Sequence, residues 1–220
     1  MINKISGTIL YLFSVLVYRT CRFTITGFEQ IEELIKTNKP VIVTSWHGMT
    51  MMVAGFIKKT MDISDFSVIM PDDYRGDVLA IFADHLGVEP LKVNLSGDST
   101  FGLGRKLVSL MKKMRGGKKF LIHPDGPAGP AYKVKPGLSF IAQKTGAAIM
   151  PLGCYCRNAY HINRWDRYTL PLPFSKVHIQ LGSLMTIPEE VKDLKETNRM
   201  IEDVLNRVAL QASAKYYLEG

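Results

Sequence analysis

The chain has 220 residues, 46% of them hydrophobic and 22% charged, a length and composition that suit a substantial core and exclude a disordered or fibrous chain. Its net charge of +8 favours an anionic partner: nucleic acid, an anionic membrane surface or a phosphate-bearing ligand. Cys21, Cys154 and Cys156 are an odd count that makes no disulfide framework and fits a reducing compartment.

In chain order, residues 5–18 carry no charge and are largely apolar between Lys4 and Arg19. The stretch is shorter than the roughly 20 residues a spanning helix needs, and no small-residue cleavage site follows it. It is read as a helix that lies on a membrane or packs on the protein. Residues 1–25 are therefore expected to form an N-terminal apolar helix and residues 26–220 a single α/β domain. The expected location is cytoplasmic, peripheral on the inner face of the cytoplasmic membrane. Residues 28–37 place Phe28, Ile31, Leu34 and Ile35 at the spacing of a short amphipathic helix.

Val41-Ile-Val43 after Pro40 reads as a buried strand, and residues 49–59 as a helix. Strands are further expected at 66–70, 88–93, 119–122, 147–156 and 177–182. Helices are expected at 76–86 (stopped by Gly87), 105–114 (stopped by Gly116-Gly117) and 137–144 (stopped by Gly146). Residues 94–104 are polar and glycine-rich, a loop. Pro188-Glu-Glu190 is a helix start, followed by Val191, Leu194, Ile201, Leu205 and Val208 at helical spacing. Strands alternating with helices at this pace predict an α/β fold, a mostly parallel central sheet flanked by helices with a C-terminal amphipathic helix.

Two stretches carry candidate chemistry. His47 stands where the first buried strand gives way to a helix, the edge at which open α/β sheets place ligands, and histidine exchanges protons near neutrality. A structural histidine bonded to a neighbouring carbonyl is the alternative. The segment His123-Pro-Asp-Gly-Pro-Ala-Gly-Pro130 leaves a strand and is too rich in Gly and Pro to be regular. Asp125-Gly126 invites a turn whose backbone N–H groups converge on a phosphate or an oxyanion, so Gly126, Pro127 and Gly129 are candidate binding positions. Lys133 and Lys135, two apart in an extended segment, point the same way toward one phosphate. A rigid surface turn with solvated lysines is the alternative.

Trp46-His-Gly48, Leu121 through Pro130, Val134-Lys-Pro-Gly137, Ala148-Ile-Met-Pro-Leu152 and Asn163 through Lys176 together resemble the small bacterial branch of the lysophospholipid acyltransferase superfamily described as a domain of unknown function. The resemblance runs from about residue 40 to residue 188. It implies a glycerolipid acyltransferase-like fold and transfer of a fatty acyl group from an acyl carrier protein or coenzyme A thioester to a hydroxyl of a lysophospholipid-like or other lipid acceptor. It also implies a lipid acceptor and a membrane surface as partners, with no bound cofactor and no metal.

In the superfamily a histidine acts as base and an acidic residue five positions later orients it. The base carried over is His47, but five positions on stands Met52, which orients nothing. The expected substitute is Asp125, with Asp72 and Asp73 in reserve. The acid-Gly pair that the superfamily associates with the acceptor corresponds to Asp125-Gly126, and its closing proline block to Pro151. Arg75, Lys92, Arg105, Lys133 and Lys135 are the expected receivers of substrate phosphates. The second block, Lys92-Val-Asn-Leu-Ser-Gly-Asp-Ser99, matches poorly. Trp165-Asp166-Arg167 belongs to the signature and reads equally as a capped, packed loop.

The chemistry needs one base and donors for a tetrahedral oxyanion, and no Gly-x-Ser-x-Gly elbow for a covalent intermediate is found. Two rival readings are a metal-dependent hydrolase using His47, His123 and Asp125, and a non-catalytic lipid-binding protein of the same fold. No stretch interleaves aromatic and basic residues as a nucleic-acid-binding motif does, so no nucleic acid is expected.

Overall fold

The computed structural model describes residues 2–30, 32, 39–93 and 100–218. The chain opens with helix α1 (Ile2–Thr20) and strand β1 (Arg22–Thr26), and reaches the sheet centre at β2 (Val41–Thr44). Then follow α2 (Thr50–Thr60), β3 (Phe66–Pro71), α3 (Tyr74–Leu86), β4 (Glu89–Val93), α4 (Thr100–Arg115), β5 (Lys119–Ile122), α5 (Pro136–Thr145) and β6 (Ala148–Tyr155). A short pair, β7 (Ala159–His161) and β8 (Thr169–Pro171), precedes β9 (Lys176–Leu181) and the long α6 (Leu194–Leu218).

Seven strands form one sheet in the order β1-β9-β6-β2-β5-β3-β4, and β7 pairs with β8 alone. The pairs β1–β9, β2–β6, β2–β5, β3–β5 and β3–β4 are parallel, whereas β6–β9 is antiparallel. This is the mostly parallel, helix-flanked sheet expected from the alternation of patterns. Strand β2 is buried along its whole length, as a strand covered on both faces must be, so Val41–Val43 are apolar without alternation and Thr44 satisfies its hydroxyl by donating to the Ile122 carbonyl at 2.8 Å.

Alternate residues of β2 feed two cores. Val41 and Val43 join Val17, Met52, Val53, Phe56 and Leu86 beneath α1, α2 and α3. Ile42 joins Leu110, Met114, Leu138, Ile141, Ile201 and Leu205 beneath α4, α5 and α6. The β7–β8 hairpin leans its Ala159 and Leu170 on the first of these cores, which brings residues 162–168 over the carboxyl end of β2.

Three expectations are corrected. The N-terminal helix ends at Thr20, and residues 22–25, placed by the sequence in the helical segment, belong to β1, whose Arg22–Thr26 register runs alongside Lys176–Gln180. The C-terminal helix starts at Leu194, not at Pro188: Gln143 Nε2 donates to the carbonyls of Pro188 and Val191 at 3.1 and 2.7 Å, holding that segment as a turn. Asp193 then accepts from the N–H of Lys195 at 2.8 Å, the capping that Pro188-Glu-Glu190 was expected to supply. Of the helix expected at 28–37, Phe28–Gln30 is a single 3-10 turn, and 31 and 33–38 lie outside the described residues. So do positions 94–99 of the expected loop, and with them most of the poorly matching second block.

Among the described residues, no helix is long and apolar enough to cross a membrane.

Candidate active site

The segment after β2 turns sharply. Trp46 is extended, and His47–Met49 make one 3-10 turn before α2 begins, so the His47 side chain leaves the sheet at its carboxyl edge. Two glycines make room for it. A Cβ on Gly126 would come within 2.8 Å of His47 Cδ2, and one on Gly48 within 2.2 Å of the Asp166 carbonyl oxygen. The glycine of Trp46-His47-Gly48 thus admits the backbone of the hairpin loop, and Gly126 packs against the Cδ2 edge of the imidazole.

That loop delivers the acid. Asp166 Oδ2 is 2.7 Å from His47 Nδ1, and its carboxylate side chain is 1% exposed while the imidazole is 24% exposed. Arg164 grips the same carboxylate with two prongs, Nε to Oδ1 at 2.6 Å and Nη2 to Oδ2 at 2.8 Å, the fork geometry that only a guanidinium offers. Arg164 Nη2 also lies 3.4 Å from His47 Nδ1. Arginine has only donors, so with the Nδ1–H given to Asp166 this is a contact rather than a bond. Burial pushes the Asp166 carboxyl up, but the bonds from Arg164 and His47 outweigh it and hold it below the usual carboxylate range. An ionised Asp166 fixes the tautomer: the proton sits on Nδ1, and Nε2 is left with the lone pair that a base needs.

The acid orienting His47 is therefore Asp166 and not Asp125. Asp125, 1% exposed, accepts instead from the backbone N–H of His47 at 3.0 Å and, more weakly, from that of Tyr132 at 3.4 Å. It clamps the 124–132 segment to the start of the helical turn. Burial raises its pKa despite those two bonds. The reserves are also elsewhere: Asp73 caps α3 through the N–H groups of Arg75 and Gly76, and Asp72 pairs with Lys106 at 3.5 Å. Met52 is buried in the core beneath α2.

His123 faces the His47 ring at 5.4 Å between centroids. Its Nδ1 lies 2.9 Å from the Ser45 carbonyl and its Nε2 3.1 Å from Thr50 Oγ1. Burial, reinforced by neighbouring His47, lowers its pKa to about 3, so it is a neutral, fully engaged wall of the site. The trio of His47, His123 and Asp125 does not come together as a ligand set, and no group of three or more His, Cys, Asp or Glu able to hold a metal occurs among the described residues.

The nest expected around Gly126 is spent internally. Gly126 N–H donates to the His123 carbonyl and Gly129 N–H to the Asp125 carbonyl, both at 3.1 Å, and Pro127 has no N–H to offer. Gly129, at φ +75, serves another purpose: a Cβ there would meet the Trp165 ring at 2.9 Å. Trp165 in turn lies 5.3 Å from the His47 ring, between glycine and imidazole. The two lysines diverge. Lys133 pairs with Glu202 of α6 at 2.6 Å, whereas Lys135 Nζ reaches the Gly126 carbonyl at 3.0 Å, next to the imidazole.

Arg75 and Lys92 sit at the same carboxyl edge of the sheet, beyond β5 from His47. Arg75 is forked onto Asp73, with Nε at 3.0 Å from Oδ2, and Lys92 pairs with Asp77. Arg105 is exposed on α4. Pro151 lies in β6 opposite Thr44 of β2, one residue before the segment that carries His47. Of the two further candidate residues, Asp166 was singled out in the sequence only as part of Trp165-Asp166-Arg167, with no role given to it, and Arg164 was signalled only by lying in the stretch from Asn163 to Lys176.

No family model matches the chain. A relative from Rickettsia prowazekii (strain Madrid E), "Uncharacterized protein RP090", is 24% identical over 187 residues, 84% of this chain and 83% of that protein. Among solved structures, the crystal structure of the 1-acyl-sn-glycerophosphate (LPA) acyltransferase, PlsC, from Thermotoga maritima is similar with a TM-score of 0.61 at 20% identity, over 96% of this chain and 78% of that one. At that identity the likeness shows the fold, an acyltransferase-like sheet with its flanking helices.

Proposed function

We propose that the protein is an O-acyltransferase that moves a fatty acyl group from an acyl carrier protein or coenzyme A thioester to a hydroxyl of a lysophospholipid-like or other lipid acceptor. The observation that carries this reading is the relay Arg164–Asp166–His47. With Asp166 on Nδ1, Nε2 takes the proton of the acceptor hydroxyl as its oxygen attacks the thioester carbonyl. The new C–O bond gives a tetrahedral oxyanion, whose collapse breaks the C–S bond. The thiolate leaves with the proton from His47, which returns the base to its starting state. No bond between enzyme and acyl group is required.

The departure at Met52 leaves room for a non-catalytic lipid binder. Asp166 supplies from the hairpin loop what that position lacks, which supports the catalytic reading instead. Lys135, bonded to the carbonyl of Gly126 at the edge of the imidazole, is the cation we assign to substrate phosphate or to the developing oxyanion. Arg75 and Arg105 extend the basic edge farther out.

A lipid acceptor implies work at a membrane surface. Helix α1 exposes Ile5, Ile9, Leu12 and Leu16 at the i, i+4, i+7, i+11 spacing of one face. We assign that face to the inner surface of the cytoplasmic membrane, with the catalytic sheet peripheral to it.

The test compares lipid profiles of cells making the wild type, His47→Ala or Asp166→Asn, all confirmed folded. One lipid class should gain an acyl chain with the wild type alone. Identical profiles from all three would remove the catalytic reading and leave lipid binding.

A further inference from the structure

The exposed face of α1 is flanked by two features that the acyl-transfer chemistry does not use. At about 100° per residue, Ile5, Ile9, Leu12 and Leu16 span about 60° of the helix, with Thr20 about 20° beyond one border and Arg19 about 20° beyond the other.

On the Thr20 side stands the turn 172–175. Phe174 is 81% exposed and Leu172 47% exposed, and Phe174 holds φ +66, a conformation that bulky side chains avoid. The turn is stitched to the end of α1. Phe174 N–H donates to Thr20 Oγ1 at 3.1 Å, Cys21 Sγ donates to the Leu172 carbonyl at 3.2 Å, and Arg22 N–H donates to the Ser175 carbonyl at 2.9 Å. A phenyl ring held out of the core by three such bonds is placed, not merely left over.

On the Arg19 side a cleft of about 280 Å³ opens between α1 and α2, lined by Tyr11, Val15, Tyr18, Arg19, Lys58 and Lys59. Three cations over an aromatic and aliphatic floor suit a phosphate whose attached chains stay apolar. Cleft, stripe and wedge thus lie side by side around one helix end.

We propose that this end of the molecule docks on an anionic phospholipid bilayer, with Phe174 and Leu172 as a wedge into the acyl boundary and the Arg19–Lys58–Lys59 cleft receiving lipid phosphates. The proposal deepens the membrane-surface part of the reading above and needs no turnover. Charge complementarity decides the occupant: a protein of net charge +8 with cations beside its apolar stripe matches a negative leaflet better than a second copy of itself.

The experiment is flotation of the purified full chain with vesicles of phosphatidylglycerol and phosphatidylcholine, and with phosphatidylcholine alone. The variants are Phe174→Gly, the triple Arg19→Gln, Lys58→Gln, Lys59→Gln, and Leu210→Ser as an exposed apolar control on α6. Glycine accepts the positive φ, so Phe174→Gly keeps the turn while removing the ring. Phe174→Gly should weaken binding to both vesicle types by roughly tenfold. The triple variant should lose roughly a hundredfold on anionic vesicles and little on neutral ones. Leu210→Ser and His47→Ala should bind as the wild type does. Wild-type binding that survives both Phe174→Gly and the triple variant overturns the wedge and cleft while leaving a membrane-bound enzyme intact. No binding by the wild type overturns the membrane surface as well, and turnover on detergent-dispersed acceptor then judges the acyl transfer separately.

Discussion

His47 and Asp166 lie 119 residues apart in the chain, yet their side chains meet at 2.7 Å. Between them the chain lays down β3 to β6, so the pair exists only in the assembled fold. Removing the charge without changing the shape isolates the pairing. Asp166→Asn should lower the rate of acyl transfer by roughly 10³-fold, within the 10²–10⁴ that a positioned base contributes, and leave the fold unchanged. Asp125→Asn, whose carboxylate reaches only backbone N–H groups, should cost the rate far less. Equal losses in the two variants would show that Asp166 has no special claim on the imidazole.

Arg164 has an effect that can be read on the pH axis. Its fork helps hold the Asp166 carboxyl below the usual range against the upward push of burial. Without the guanidinium that push is opposed by His47 alone, so Arg164→Gln should raise the Asp166 pKa. The ionised form would then be lost at higher pH as pH falls, and the acid limb of kcat/KM should move upward. Arg164→Lys should rescue this only in part, because an ammonium cannot fork onto both oxygens. A superimposable acid limb in Arg164→Gln would count against the relay.

The glycines beside the ring make a steric prediction. Gly48→Ala places a Cβ against the Asp166 carbonyl, and backbone on both sides must give. We expect a loss of about 1–3 kcal/mol in unfolding free energy, the usual range for overpacking. Gly126→Ala meets the edge of the imidazole instead, and a side chain yields more readily than backbone. It should reduce the rate more than the stability. Denaturant unfolding and turnover of both variants check the two signs together.

His123 predicts how stability depends on pH. Its folded pKa, about 3, lies below the ordinary value of about 6.5, so the unfolded chain takes up the proton first. The stability that neutral His123 confers is fully present above about pH 6.5 and is lost as pH falls toward 3, at up to about 1.4 kcal/mol per pH unit. Relative to His123→Asn, the wild type should lose stability with this extra slope. Denaturant melts of both proteins from pH 7 to pH 4 measure the difference, and parallel curves would refute it.

The centre of the sheet was legible because β2, β5 and nearly all of β6 are buried. Val41-Ile-Val43 and Phe120-Leu-Ile122 are short apolar runs, and they sit side by side in the fold. Strand β1 was hidden by its neighbour: Arg22-Phe-Thr-Ile-Thr26 directly follows an apolar helix and contributes an edge strand with one charged end. The three-residue strands β7 and β8 are too short to show a period, so the hairpin that carries Asp166 was unreadable as an element. His47 was found from its place at a strand end. Its acid was misplaced because Asp125 is indeed adjacent, but to the backbone of His47 rather than to its ring. Side-chain direction within an irregular loop leaves no trace in residue spacing.

Strands β6 and β9 are antiparallel neighbours, and a hairpin of two residues is enough to join such a pair. The chain spends residues 156–175 there instead, and this excursion holds Asp166, Arg164, Trp165 and Phe174 while leaving the order of the sheet untouched. The partner of His47 therefore rides outside the sheet, on a segment pinned by Ala159 and Leu170 on the core and by the Asp166 carbonyl against Gly48. A change of length there leaves the order of the strands alone but moves the carboxylate, so the spacing between its anchors is what sets the distance from acid to imidazole.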